Sequence, residues 1–141
     1  MTMQGIKLDV VTPEESIFSD HVSMVVAPGT EGVIGILPNH APVLTGLREG
    51  ELIVRQKDKE DVAFAIGGGF MDVQPNQVTI LADVAERASA INMERAKAAR
   101  ERAKSLISSG NLKHDDLLKA EAALRRALIR MKVAEKHRSI N

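Results

Sequence analysis

The stretch that decides the fold class is residues 117–134, which read LLKAEAALRRALIRMKVA. Apolar residues recur in it at alternating intervals of 3 and 4, which is the spacing of one face of an α-helix; they are Leu117, Ala120, Leu124, Ala127, Met131 and Ala134. An earlier stretch repeats this spacing with Ala96, Ala99, Ala103 and Leu106. The pattern predicts helices over residues 93–107 and 115–136, joined by the turn residues SSGN at 108–111. We therefore expect an antiparallel helical hairpin.

Polar residues mark where these helices begin. Asn92 is suited to cap the first helix, and Asp115 or Asp116 to open the second. Because alanine dominates both apolar faces and buries little area, the hairpin is expected to be weakly held. The second helix also carries Leu118, Ala122 and Ile129 on a face roughly opposite the first, which predicts a second packing surface.

Residues 1–87 show strand signals instead of helical spacing. Short β-prone runs are separated by turn residues; the runs are 6–11, 22–26, 33–37, 43–47, 51–54, 62–66, 71–73 and 77–81. Many short strands with regular turns favour a β-sandwich or barrel. The chain is thus predicted to be α+β in two domains, a β-domain at 1–87 and a helical domain at 88–141.

Charge divides at the same place as the secondary structure. Residues 1–87 contain 6 Lys and Arg against 13 Asp and Glu, a net charge of −7. Residues 88–141 contain 13 against 6, a net charge of +7. Halves of opposite sign suggest different partners, and the basic half should meet an acidic surface or phosphates.

No constellation of residues typical of an enzyme is visible. Gly67-Gly68-Gly69 leads into a strand pattern and not into a helix, so it predicts a β-bulge or a close backbone approach and not a phosphate loop. The four histidines lack metal spacing and the chain has no cysteine. No apolar run approaches the roughly 20 residues that span a bilayer, and no signal peptide is visible.

The basic helices leave several partners open. They contain no aromatic residue for stacking on bases, which disfavours nucleic acid. The cations could form a solvated face, or they could dock on an acidic protein, which would suit a free-standing β-sandwich adaptor with a basic coiled coil. A further option is a triphosphate bound by four arginines through bidentate contacts; they are Arg95, Arg102, Arg126 and Arg130.

Several motifs in order give the chain a family resemblance over nearly its full length. They are LDVVTP at 8–13, GILPNHAP at 35–42, GGFMDV at 68–73, VTILA at 78–82 and RAKAARER at 95–102. With these motifs the chain resembles the epsilon subunit of bacterial F-type ATP synthases. The resemblance implies a ten-stranded β-sandwich followed by a helical hairpin. It also implies a non-catalytic subunit of the central stalk, at the cytoplasmic face of the membrane, that restrains ATP hydrolysis through mobile helices.

The resemblance also implies partners and site residues. The expected partners are the gamma subunit, the ring of c subunits and the catalytic head, with no nucleic acid. Contacts with gamma and the ring are expected at Glu31, Val33, Pro38 and His40. Contacts that restrain the catalytic β-subunits are expected at Arg125, Arg126, Arg130 and Lys132.

ATP is the one small molecule that the resemblance suggests, as a regulatory ligand and not as a required cofactor. Members that bind it carry a motif similar to Ile/Leu-Asp-x-x-Arg-Ala, which here reads INMERA at 91–96 with Asn92 in place of the aspartate. The substitution replaces a carboxylate with an amide, which removes a charge. The residues expected to hold ATP are Glu86, Ile91, Asn92, Arg95, Ala96, Arg102, Arg126 and Arg130.

Overall fold

The computed structural model describes residues 5–137 and divides the chain into two compact units, one ending at Arg87 and the other beginning at Ala88. The first unit contains eight strands: β1 Ile6–Val11, β2 Ser16–Val22, β3 Met24–Gly29, β4 Gly32–Ile36, β5 Val43–Arg55, β6 Val62–Gln74, β7 Gln77–Ala82 and β8 Ala85–Arg87. The second unit contains a short 3₁₀ helix and two α-helices: Ala88–Ala90, α1 Met93–Ser109 and α2 His114–Lys136.

The strands form one hydrogen-bonded network in the order β2-β1-β7-β6-β5-β3-β4, and β8 pairs with β6 beyond the end of β7. The pairing of β1 with β7 is parallel, and the other pairings are antiparallel. The long strands β5 and β6 have 13 residues each and pair with one another from Val43 with Val73 to Val54 with Val62, which makes theirs the longest pairing of the sheet.

Both long strands change the face that they turn inward. In the first half of β5 the buried core residue, Leu47, is at an odd-numbered position, whereas in the second half Leu52 is buried at an even-numbered position. In β6 Phe64 is buried at an even position and Met71 at an odd one. Because side chains alternate strictly along a strand, the interior must lie on opposite sides of the two halves of each strand, as expected for a strand that runs from one layer of a sandwich into the other.

This passage explains the strand count. The sequence predicted separate strands at 43–47 and 51–54 and at 62–66 and 71–73, and these predictions were wrong because β5 and β6 continue through the intervening residues. The β-sandwich itself is confirmed. Eight continuous strands stand where ten were expected, and dividing β5 and β6 at their turning points would restore ten.

The glycine run lies at the turning point of β6. Gly69 has φ +133°, and a Cβ there would overlap the backbone oxygen of Leu81 on β7. The expected close backbone approach is therefore confirmed. The alternative of a β-bulge is wrong, because the register between β5 and β6 is the same on both sides of Gly68.

Helix α1 begins and ends where local capping chemistry predicts. The Asn92 side chain accepts a hydrogen bond from the Arg95 amide at 3.0 Å, and Gly110 follows the helix in the left-handed region at φ +72°. The prediction that Asp115 or Asp116 opens the second helix was wrong: α2 begins at His114, one residue before the predicted range, with Lys113 at the N-cap and no side-chain cap. Asp115 and Asp116 lie in its first turn, where their negative charges interact favourably with the positive end of the helix dipole.

The hairpin is packed on alanines, as the spacing predicted. The nearly inaccessible alanines are Ala96, Ala103, Ala120 and Ala127. Leu106 was wrongly assigned to this packed face: it is exposed, whereas the neighbouring Ile107 is half-buried. Val133 lies outside the predicted face, yet it is fully buried.

Candidate functional site

Every nearly inaccessible alanine of the hairpin is directly preceded by a cation. These cations are Arg95 and Arg102 on α1 and Lys119 and Arg126 on α2, and all four are exposed. On a helix, the residue before a packed one is rotated 100° away from the packing direction. Each cation therefore stands at the margin of the contact between the two helices.

The four cations share one side of the hairpin. On each helix, the cation lies 100° around the axis from the alanine that follows it. Because the helices are antiparallel, this rotation is clockwise on one helix and anticlockwise on the other when both are viewed from the same end. Because the packed faces of the two helices also point in opposite directions, the two rotations lead to the same side. We call Arg95, Arg102, Lys119 and Arg126 the basic flank. Three of its four members were predicted from the sequence as phosphate ligands, and Lys119 was missed.

The remaining residues expected to hold ATP occupy different places. Arg130 is half-buried one turn after Arg126, and Ile91 is half-buried before α1. Ala96 is packed between the helices, and the Asn92 oxygen accepts a hydrogen bond from the Arg95 amide, which leaves the Asn92 NH₂ group as a donor for a ligand. Glu86 is half-buried in β8, in the other unit. The nucleotide site stays a prediction.

Two of the residues expected to contact the catalytic head lie away from the basic flank. Arg125 and Lys132 are exposed and seven residues apart, so they share one face of α2. Their rotation from Ala127 places this face opposite the contact with α1. Arg126 and Arg130 lie instead on the side of the basic flank, so the four predicted residues do not form one continuous surface.

The residues expected to face gamma and the ring gather near one hairpin and one loop. Glu31 is exposed in the turn between β3 and β4, and Val33, on the edge strand β4, is 77% exposed. Pro38 and His40 are half-buried in the loop before β5. The Asn39 amide within that loop donates to the Pro75 carbonyl at 2.7 Å, which fixes the loop to the turn between β6 and β7.

An apolar patch on the outer face of the sheet was missed by the sequence reasoning. Phe70 and Leu81 are direct partners across β6 and β7, and Leu44 on β5 lies diagonally across from Phe70, because Gly46 is the direct partner. All three side chains are more than half exposed. Alternation along each strand places them on the face opposite to the buried residues Leu47, Met71 and Ile80, and this alternation is the sequence pattern that could have predicted the patch. We call Leu44, Phe70 and Leu81 the outer patch.

A polar network lies farther along the same sheet. Ser19 donates to Asp9 at 2.6 Å, Lys7 donates to Ser19 at 2.8 Å, and Gln77 donates to the other Asp9 oxygen at 3.0 Å. The Ser19 hydrogen bond, aided by the Lys7 charge, holds the pKa of Asp9 below its usual value. The network is a hydrogen-bonded surface cluster that stabilises the pairing of β1 with β2 and β7.

Two kinds of site are absent from residues 5–137. No group of three or more His, Asp or Glu side chains is arranged to hold a metal ion there. Neither α1 nor α2 combines the length and the apolar composition needed to cross a bilayer.

Comparisons with known proteins agree with the two-part architecture. The family model of the ATP synthase delta/epsilon chain β-sandwich domain matches residues 5–88, and that of the delta/epsilon long alpha-helix domain matches residues 89–135. The ATP synthase epsilon chain of Dehalococcoides mccartyi is 46% identical over 136 residues, 96% of each chain. That of Desulforamulus reducens is 47% identical over 129 residues, 92% of this chain and 96% of its own.

Solved structures show the same fold at lower identity. A chain of the Euglena gracilis mitochondrial ATP synthase OSCP/F1/c-ring structure superposes with a TM-score of 0.81 at 23% identity, covering 96% of this chain and 83% of that one. A chain of the Tetrahymena thermophila mitochondrial ATP synthase central stalk and c-ring gives 0.63 at 16% identity, with coverages of 95% and 99%.

Proposed function

The chain belongs to the ATP synthase delta/epsilon family, and we propose that it is a non-catalytic rotor subunit that links the catalytic head to the membrane ring and restrains ATP hydrolysis. In this role the β-domain is the assembly module, and the helical hairpin is the regulatory one. The subunit is held at the cytoplasmic face of the membrane through its partners in the complex.

The observation that carries this proposal is the coincidence of three boundaries. The net charge changes from −7 to +7 at residue 88, the compact units meet between Arg87 and Ala88, and the two family models meet at residues 88 and 89. A basic module attached to an acidic one can leave its own domain and dock on a different acidic surface, because charge complementarity directs association.

Removal of residues 88–141 tests the division of labour in a reconstituted complex. The shortened chain should still assemble with gamma, and the complex should hydrolyse ATP faster than with the full chain. A double variant, Arg125→Ala with Lys132→Ala, tests whether the outer face of α2 contacts the head. Lys97→Ala with Lys104→Ala removes the same number of charges from α1 and serves as its control. Unchanged hydrolysis after the deletion would rule out the regulatory role.

The outer patch is the proposed docking site for gamma. Contiguous exposed apolar side chains are typical of stable protein interfaces, and permanent ones are more apolar than transient ones. Phe70, which is 59% exposed, supplies an aromatic anchor for such an interface. Glu31 and Val33 on the β3–β4 hairpin are the proposed contact with the ring of c subunits.

Co-purification with gamma tests this assignment. Phe70→Ser should weaken gamma binding by about 100-fold, since a central aromatic anchor is worth about 2–4 kcal/mol in an interface. Leu106→Ser, a comparable loss of exposed apolar surface on the hairpin, is the control and should bind normally. Gamma binding by Phe70→Ser at native strength would remove the outer patch from the interface.

ATP is the proposed ligand of the basic flank. Its phosphates need several cations on one side of the hairpin, and the flank together with Arg130 supplies them. The Asn92 oxygen is already used as a helix cap, so its contribution would come from the NH₂ donor. Bound ATP would favour the hairpin conformation in which the flank is assembled, in proportion to its preference for that conformation.

Calorimetric titration of the full chain with ATP tests the ligand. Saturable binding should be lost in Arg126→Ala and kept in Arg125→Ala, which removes the same charge from the neighbouring position. Asn92→Asp keeps a capping oxygen and measures what the amide changes. Failure of the native chain to bind ATP would rule out sensing without touching the proposed rotor role.

A further inference from the structure

The last residue of the β-domain is held by two aromatic rings. The Arg87 guanidinium carbon lies 5.7 Å from the centroid of Phe18 and 5.6 Å from that of Phe64. The two rings meet edge to face, with centroids 6.0 Å apart. A guanidinium over ring faces at such distances is attracted by the negative charge density of each ring.

These contacts join three strands at the end of the sheet. Phe64 on β6 is the direct cross-strand partner of Arg87 on β8, whereas Phe18 belongs to β2, which pairs with β1. Strand β8 has only three residues, so its few ladder hydrogen bonds alone would hold it weakly. The Arg87 side chain adds an attachment to both rings where the strand ends.

The residue that follows belongs to the helical unit. The 3₁₀ helix Ala88–Ala90 packs against α2, and the Ile91 amide donates to the Ala88 carbonyl at 3.2 Å. The connection is therefore structured on both sides of the Arg87–Ala88 junction, with little free chain between the units.

We infer that Arg87 secures the end of the β-domain: by resting on Phe18 and Phe64 it keeps β8 paired with β6 as far as the Arg87–Ala88 junction. Without this contact β8 would separate from β6, and the connection would lengthen toward Asp83. A longer connection lowers the effective concentration at which the hairpin meets any surface of the same complex. The inference concerns the chain by itself, so its failure would leave the proposed inhibition of hydrolysis intact.

Hydrogen–deuterium exchange on the full chain tests the inference, because amide exchange reports local opening. Arg87→Ala should speed exchange of residues 85–87 by about fivefold to thirtyfold, the equivalent of two exposed cation–π contacts. Arg87→Lys, which keeps the charge but loses the planar guanidinium, should give a smaller increase.

Variants of the rings separate the contact from general destabilisation. Phe18→Leu keeps Arg87 and should also speed exchange at residues 85–87, whereas Phe70→Leu, the same change on the outer patch, should not. Exchange in β1 should remain at the native rate in Arg87→Ala. Native exchange of residues 85–87 in Arg87→Ala, or an equal increase in β1 and β8, would overturn the inference.

Discussion

Replacement of Gly69 by alanine should destabilise the β-domain more than any other glycine substitution of comparable size. Gly69 lies at the turning point of β6 with φ +133°, a region that L-residues rarely enter. A Cβ there would overlap the Leu81 carbonyl oxygen and stand 2.9 Å from the Ala82 Cα. Both obstacles are backbone atoms of β7, so neither can be relieved by a side-chain rotation.

The two effects can be given separate magnitudes. Holding a non-glycine residue in this region costs about 1–3 kcal/mol, and forcing neighbouring backbone apart costs about 1–3 kcal/mol. Their combined cost is about 4 kcal/mol, a large part of the roughly 5–15 kcal/mol that stabilises a domain. For a domain of this size the loss lowers Tm by about 20 °C.

Gly32→Ala isolates the conformational cost. Gly32 has φ +130°, but no heavy atom lies within 4 Å of the position where its Cβ would stand. Its substitution should cost about 2 kcal/mol and lower Tm by about 10 °C. The difference between the two variants measures the clash with β7.

Phenylalanine provides a selective assay for this comparison. The chain has no Trp or Tyr, and its three Phe residues all lie in the β-domain. Near-ultraviolet circular dichroism of phenylalanine during heating therefore follows that domain, without a signal from the helices. If Gly69→Ala and Gly32→Ala lowered Tm equally, the close approach of β6 to β7 would carry no energetic weight and the reasoning would be refuted.

The remaining predictions concern the hairpin and the polar network. Asn92→Ala should destabilise the hairpin by about 1 kcal/mol because α1 loses its cap, as measured by far-ultraviolet circular dichroism; an unchanged melt would show that the cap is dispensable. Val133→Ala should cost about 2 kcal/mol because that side chain is fully buried, whereas Leu118→Ala, at an exposed position, should cost under about 0.5 kcal/mol; equal losses would contradict the assigned burial. Since the pKa of Asp9 is lower in the folded protein, its stabilising contribution is present above the pKa of the unfolded chain and disappears as pH falls through the folded value. Asp9→Asn should therefore weaken the acid dependence of the unfolding midpoint, and an unchanged dependence would exclude Asp9 as its source.

What the sequence could predict depended on how local the causes are. Helix α1 was placed within two residues because its spacing, its Asn92 cap and Gly110 all act within one or two turns. The division at residue 88 was visible because periodicity and charge change together. The continuity of β5 and β6 was not visible, since a glycine within a strand pattern marks a turn as readily as a twist.

The missed parts of the candidate site have a different cause. The outer patch depends on cross-strand register, which brings Leu44 beside Phe70 although 26 positions separate them in the chain. The contact of Arg87 with Phe18 likewise depends on the packing of β2 near β6. Such juxtapositions are set by tertiary packing, and no short sequence pattern encodes them.

The basic flank and the alanine packing are physically linked. Closing the hairpin brings like charges of α1 and α2 to the same side, where they repel, while the packed alanines return little apolar burial. A polyanion that bridges Arg102 and Arg126 would relieve the repulsion, and it would stabilise the closed hairpin by mass action to the extent that it prefers that state. An acidic protein surface that bound the two helices while they are separated would instead favour the open hairpin. The same sequence feature, a cation before each packed alanine, would thus make the conformation of the hairpin depend on which anion it binds, if the proposed switching is correct.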